Sequence, residues 1–185
     1  MKLRNLSFLA VLLMLMTSFK SDHLDSGILD YPKPEGVENL LFYVQRTINS
    51  NTIVYTLNED SDGKLNEAEP IKAYWIKYAE GGKVVPLTYV QKTYAYGVES
   101  QLLNKERQSY VFEFVSYRKK IFYLLKSAID NKYHVYGAVN NKMTMLNNIL
   151  VRIEGGTFWV PNVKSVEVKA IDQVTKAEVT EIIKP

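Results

Sequence analysis

Asn39-Leu-Leu-Phe-Tyr-Val-Gln-Arg-Thr-Ile-Asn-Ser-Asn-Thr-Ile-Val-Tyr-Thr-Leu-Asn58 reads as two strands joined by a tight connection. Leu40, Phe42 and Val44 alternate with Leu41 and Tyr43, and polarity rises at Gln45 and Arg46. Ile53, Tyr55 and Leu57 alternate with Thr52, Val54 and Thr56. Asn49-Ser50-Asn51 supplies residues that tolerate turn dihedrals, which places the turn there. An isolated hairpin is marginal in water, so the rest of the chain must cover this one.

Downstream, the pattern stays strand-like. Glu59 to Glu69 is an acidic loop with an Asp62-Gly63 turn, closed by Pro70. Ile71 to Tyr78 follows as a strand apolar on both faces, with Tyr74 and Ile76 on one and Ala73 and Trp75 on the other. The period changes over Pro86–Gly97, where Leu87, Val90, Tyr94 and Val98 recur at spacings of three and four. That spacing predicts a short helix, with Pro86 at its first position and Gly97 as its cap. The β-favouring Thr88, Tyr89, Val90 and Thr93 leave a strand as the competing reading. Glu99 to Gln108 reads as a polar loop.

Four further strand groups come after it. Tyr110–Val115 and Ile121–Leu125 flank the polar Arg118-Lys119-Lys120. Tyr133–Val139 and Lys142–Leu146 flank Asn140-Asn141. Ile149–Ile153 and Thr157–Val160 stand as short strands before Pro161, and Lys164–Ile171 pairs with Ala177–Ile183 around Asp172–Lys176. Short strands this close together, with little helix, imply a mainly β fold: an antiparallel β-sandwich or barrel with one short helix.

The 185 residues divide into three parts. Residues 1–21 have the form of a signal peptide, with Lys2 and Arg4 ahead of an uncharged, apolar Leu6–Phe19 run too short to span a bilayer. Residues 22–37 are a polar arm or linker containing Pro32 and Pro34, and residues 38–185 form one β-rich domain. The expected location is therefore periplasmic or extracellular, with no membrane span once the signal is cleaved. The chain contains no cysteine, which excludes a lipid-anchored lipoprotein, disulfides and a thiol nucleophile. Lys2, Arg4 and Lys20 are three of the 23 basic residues, so the remainder balances 20 bases against 20 acids. A balanced chain lacks the basic excess that nucleic-acid binding requires.

The run Leu41-Phe42-Tyr43-Val44-Gln45-Arg46, Asn49, Asn51-Thr52-Ile53-Val54-Tyr55, then Pro70-Ile71, Tyr74-Trp75-Ile76, Gln91 and Ala95-Tyr96-Gly97 resembles a bacterial exported family of unknown function, DUF4833. The similarity spans most of residues 38–184. The resemblance implies one exported domain and carries no activity, cofactor or catalytic residue.

Catalytic constellations are thin. His23 lies in the arm and His134 inside the strand-like Tyr133–Tyr136, so a serine triad has one histidine to draw on. The acids single out no pair for acid–base work, and no phosphate loop or zinc spacing is present. The polar set Gln45, Arg46, Asn49, Asn51 and Asn58 stands out. Arg46 shares a face with Leu40, Phe42 and Val44, so an inward face makes it a buried or rim cation in need of a carboxylate, loop carbonyls or an anionic ligand. Tyr43, Tyr55, Tyr74, Trp75 and Tyr96 either line a pocket or pack as cross-strand core. The candidate ligand-binding residues are Gln45, Arg46, Asn49, Asn51, Tyr55, Trp75 and Tyr96.

Asn58, Asp60, Asp62, Asn66 and Glu69 fall at the ligand positions of a calcium loop, with Gly63 at the sixth place and Leu65 at the eighth. Strand flanks and Pro70 replace the helices of that motif, so weak calcium binding competes with a solvated acidic turn. Two function classes follow. The first is a non-catalytic module of the cell envelope that binds a small ligand, a glycan or a protein. The second is a hydrolase-like enzyme using carboxylates with Arg46.

Overall fold

The computed structural model describes residues 31–157 and 160–184. The opening hairpin forms β1 (Leu40–Arg46) and β2 (Asn49–Leu57), and β3 (Ile71–Lys77) and β4 (Lys83–Pro86) extend it. A helix of eight residues, α1 (89–96), follows as one α-helical turn continued by a π-helical one. Then come β5 (Val98–Asn104), β6 (Ser109–Phe114), β7 (Tyr117–Lys126), β8 (Tyr133–Val139), β9 (Lys142–Gly156), β10 (Pro161–Ile171) and β11 (Glu178–Ile183). The fold is mainly β, 60% strand, and its curled mixed sheet forms a half-barrel. The mainly β reading with one short helix therefore holds.

The curl originates at β9. Its neighbours run in the order β4-β3-β2-β1-β9-β8-β7-β6-β5, with β10 and β11 off that path. Asn148–Val151 lies opposite both β1 and β10, whereas Met145 lies opposite both β8 and β10. A strand has two edges, so β9 gives one to β10 and divides the other between β8 and β1. The β1–β4 wing and the β8–β5 wing thus hang from one edge and face each other. Between them lies an aromatic core. Phe42 stacks on Tyr55 at 4.3 Å and reaches Phe112 at 6.2 Å, and Phe114 stands edge-on to Phe42, Tyr55 and Phe122. The pairing of β1 with β9 is parallel, the one parallel pair among the described residues, and neither strand's pattern signalled it.

Several boundaries moved, each for a physical reason. The first turn is Thr47-Ile48, with Arg46 opposite Asn49, so Asn49–Asn51 belongs to β2. Thr47 is held there by β9: its amide donates to the Val151 carbonyl, and its hydroxyl donates to the Ile153 carbonyl and accepts from the Ile153 amide. Arg118-Lys119-Lys120 lies inside β7, and the turn is Val115-Ser116. Arg118 suits a strand because it bridges Glu99 and Glu113 across the sheet. Residues 99–104 of the expected loop belong to strand β5, where backbone pairing with β6 outweighs polar composition on a sheet edge. Lys142–Leu146 and Ile149–Ile153 fuse into the single strand β9.

Other expectations hold as read. Asn140-Asn141 makes the β8–β9 turn with φ of 50° and 63°, and Asp172–Lys176 connects β10 to β11. Two lie outside the described residues: the signal peptide entirely, and the Thr157–Val160 strand at Phe158 and Trp159. From residue 31 the arm lies on the sheet. Tyr78 donates to the Lys33 carbonyl, and Gln45 donates its Nε2 to the Pro32 carbonyl.

Candidate functional site

A cleft of about 290 Å³ lies between the β1–β4 wing and the start of α1. The face of β1 that bears Phe42 and Val44 ends in Arg46, one strand-step beyond the core. Register puts Val44 beside Ile53, Ile53 beside Trp75 and Trp75 beside Val85, so one row crosses four strands and meets the cleft at Trp75 and Val85. Arg46, Asn49, Asn51 and Lys77 line it from the strands, and Pro86, Thr88 and Gln91 close it from the start of α1.

Arg46 is half-buried and lies over aromatic rings. Its guanidinium carbon is 4.7 Å from the Trp75 centroid and 5.6 Å from that of Tyr96, and Nη1 donates to the Tyr96 hydroxyl at 2.7 Å. Tyr96 stands edge-on to Trp75 at 5.3 Å. Arg46 forms no ion pair among the described residues, so the expected carboxylate or loop carbonyls give way to a phenol and two ring faces. Its Nε is sealed from solvent without a hydrogen-bond partner. Lys77, the second cation of the cleft, is paired with Glu80 at 2.8 Å.

Sequence also explains the wall. Thr88 and Gln91 form a capping box: Thr88 Oγ1 accepts from the Gln91 amide, and Gln91 Oε1 accepts from the Thr88 amide. The helix therefore starts at Tyr89, because Pro86 finishes β4. At its far end Gly97 has φ −67° and ψ 161°, so it is not the left-handed cap expected of a glycine here. A Cβ at Gly97 would lie 1.9 Å from the Lys92 carbonyl oxygen, and the glycine serves that close approach.

Residues 42–182 match the family model described as a domain of unknown function, DUF4833. The chain belongs to the DUF4833 family. No curated protein and no solved structure matches it.

In this DUF4833 domain the candidate residues divide. Arg46, Asn49, Asn51 and Trp75 line the cleft, and Tyr96 backs Arg46. Gln45 faces the arm instead, and Tyr43 is buried on that same opposite face. Tyr55 is fully buried in the core and reaches α1 only through its hydroxyl, which donates to the Tyr96 carbonyl at 2.7 Å. Tyr74 also lies on the face away from Trp75 and is half-buried. Lys77, Val85, Thr88 and Gln91 escaped the sequence reading, although Thr88-x-x-Gln91 spells the capping box that places the last two.

The acidic loop is a separate feature. Asp60 Oδ1 accepts from the Asp62 and Lys64 amides, and Asn66 Oδ1 from those of Ala68 and Glu69. Asn58 donates to the Glu69 carbonyl, and the Glu69 carboxylate pairs with Lys92. Leu65 is buried. Among the described residues no group of three or more His, Asp or Glu side chains is arranged to hold a metal ion. His134 lies elsewhere, with its Nε2 2.7 Å from Asp130. That contact, helped by the Lys132 amide, lowers the Asp130 pKa to about 2.

Proposed function

We propose that this DUF4833 domain is a non-catalytic, ligand-binding module of the cell envelope. The observation that supports it is Arg46: a cation spread over Trp75 in the lining of a cleft, with no counter-ion among the described residues. Concave sites that set convergent polar groups beside an aromatic and apolar wall, here Trp75, Val85 and Pro86, are a usual setting for small ligands. The hydrolase-like alternative with Arg46 needs a carboxylate or histidine beside it, and the cleft lining includes neither.

Export is part of the proposal and rests on Lys2, Arg4 and the Leu6–Phe19 run. No helix among the described residues is long and apolar enough to cross a membrane. The test is a thermal-shift screen of the purified protein against small metabolites, sugars, peptides and metals, repeated on Arg46→Gln. Stabilisation that the variant loses supports the module. A screen with no stabilising compound ends it.

A further inference from the structure

The hydrogen-bonding groups of the cleft are one-sided. Asn49 Oδ1 accepts from the Asn51 amide at 3.0 Å, and Asn51 Oδ1 accepts from the Ala79 amide at 3.2 Å. Gln91 Oε1 accepts from the Thr88 amide at 3.0 Å and the Trp75 indole at 3.3 Å. Amide and indole N–H groups can only donate, so these contacts fix which end of each side-chain amide is oxygen. The ends left over are Asn49 Nδ2, Asn51 Nδ2 and Gln91 Nε2. None has a partner among the described residues, nor does Arg46 Nη2, and none is sealed from solvent as Arg46 Nε is. Three side-chain amides with engaged oxygens and unpartnered NH2 ends, together with Arg46 Nη2, thus belong to residues that line one cleft.

A donor-lined cleft with one uncompensated positive charge fits a ligand group that only accepts. We infer that the cleft binds a small carboxylate, its charge on Arg46 and its body against Trp75, Val85 and Pro86. This rests on the binding-module reading and names the ligand class for that same cleft. A phosphate shares the acceptor chemistry but suits the site less well. Its second charge would need another free cation, and Lys77 is held by Glu80. At the start of α1 the Thr88 and Gln91 amides are engaged in the capping box, which reduces what that end offers an anion. At about 290 Å³ the cleft holds a body of monosaccharide or amino-acid size.

The test is a set of NMR titrations of isotope-labelled protein with glucuronate, glucose, glucosamine and inorganic phosphate. The Arg46 Nε–H, the Trp75 indole N–H and the side-chain NH2 groups of Asn49, Asn51 and Gln91 are followed. Glucuronate is expected to move all of them, phosphate to bind about tenfold more weakly or worse, and glucose and glucosamine to leave them in place. Arg46→Gln should abolish the shifts. Gln91→Glu keeps both capping acceptors while replacing an open donor by a negative oxygen, so it should fold and weaken glucuronate by about tenfold or more. If Gln91→Glu binds as tightly as the unaltered protein, the inference falls. If the neutral or cationic sugar moves the same resonances as strongly as glucuronate does, the carboxylate assignment fails and the module reading survives. If no probe moves them and the broad screen also finds nothing, both fail together.

Discussion

Tyr55 and Tyr96 tie the aromatic core to the cleft wall: the Tyr55 hydroxyl, on a fully buried ring, donates to the Tyr96 carbonyl at 2.7 Å. The hydroxyl of the same Tyr96 accepts from Arg46 Nη1. Two bonds therefore connect the centre of the protein to the cation that faces solvent.

Tyr55→Phe keeps the ring packing and removes one donor. An acceptor left unsatisfied costs about 1–3 kcal/mol, so the unfolding free energy from urea denaturation should fall by that amount and the midpoint with it. Amide exchange over residues 92–97 should rise by more than that of β6. An unchanged midpoint with unchanged exchange would mean that Tyr55 does not hold α1.

Gly97→Ala tests the close approach at the other end of the helix. The backbone angles at Gly97 suit any residue, so the cost is steric alone. With Lys92 O 1.9 Å from the added methyl, the last turn must shift, and overpacking of this kind costs about 1–3 kcal/mol. Gly81 is the contrast: open space surrounds it, but its φ of 72° is left-handed. Gly81→Ala should cost about 1–2 kcal/mol through backbone strain and leave α1 exchange unaltered.

Acid should loosen the β10–β11 hairpin. Lys142 beside it, helped by the Thr175 and Val174 amides, lowers the Asp172 pKa to about 2. A carboxylate whose folded pKa is depressed stabilises the fold above its ordinary value near 3.8. That stability disappears as pH falls toward 2. Melting temperature measured across this window should drop in the parent and drop less steeply in Asp172→Asn, which has nothing to protonate. Equal slopes would remove Asp172 from the acid response.

For the acidic loop the expected result is insensitivity to calcium. Asp60 and Asn66 direct oxygens at the loop's own amides, and Lys92 holds Glu69. Millimolar calcium should leave the melting temperature unchanged, and Asp60→Ala should lower it equally with and without the ion. Calorimetric heat that vanishes in an Asp60→Ala/Asp62→Ala variant would instead restore Asn58, Asp60, Asp62, Asn66 and Glu69 as ligands.

Period-2 patterning made the strands legible, because β1, β2, β3, β6 and β8 place aromatic and β-branched residues on a core face. Asn140-Asn141 was legible for a different reason: asparagine tolerates positive φ, and the turn demands it twice. Asn49–Asn51 has the same composition and misled, since long-range bonds from Thr47 to β9 fix that turn and no local pattern encodes them. Arg118-Lys119-Lys120 misled because charge was read as loop when its partners, Glu99 and Glu113, lie on neighbouring strands. At the cleft, Arg46 and Trp75 were visible on apolar strands, and Asn49 and Asn51 as polar candidates in what read as the first turn. Gln45 was grouped with them because adjacency in sequence hides which face a strand residue takes, and Tyr55 because sharing their face hides how deep in the core it lies.

The shared edge of β9 also sets the order in which the chain can be completed. Val44 finds its parallel partner at Ile149, more than a hundred residues later. Closing so long a loop is slow, and pairings this distant dominate folding times. While the chain emerges from the ribosome, β1 to β4 can form a meander, but the strand that joins it to β8 is absent until Lys142–Gly156 appears. Until then the aromatic faces that meet at Phe42 and Phe114 have no shared strand to hold them together.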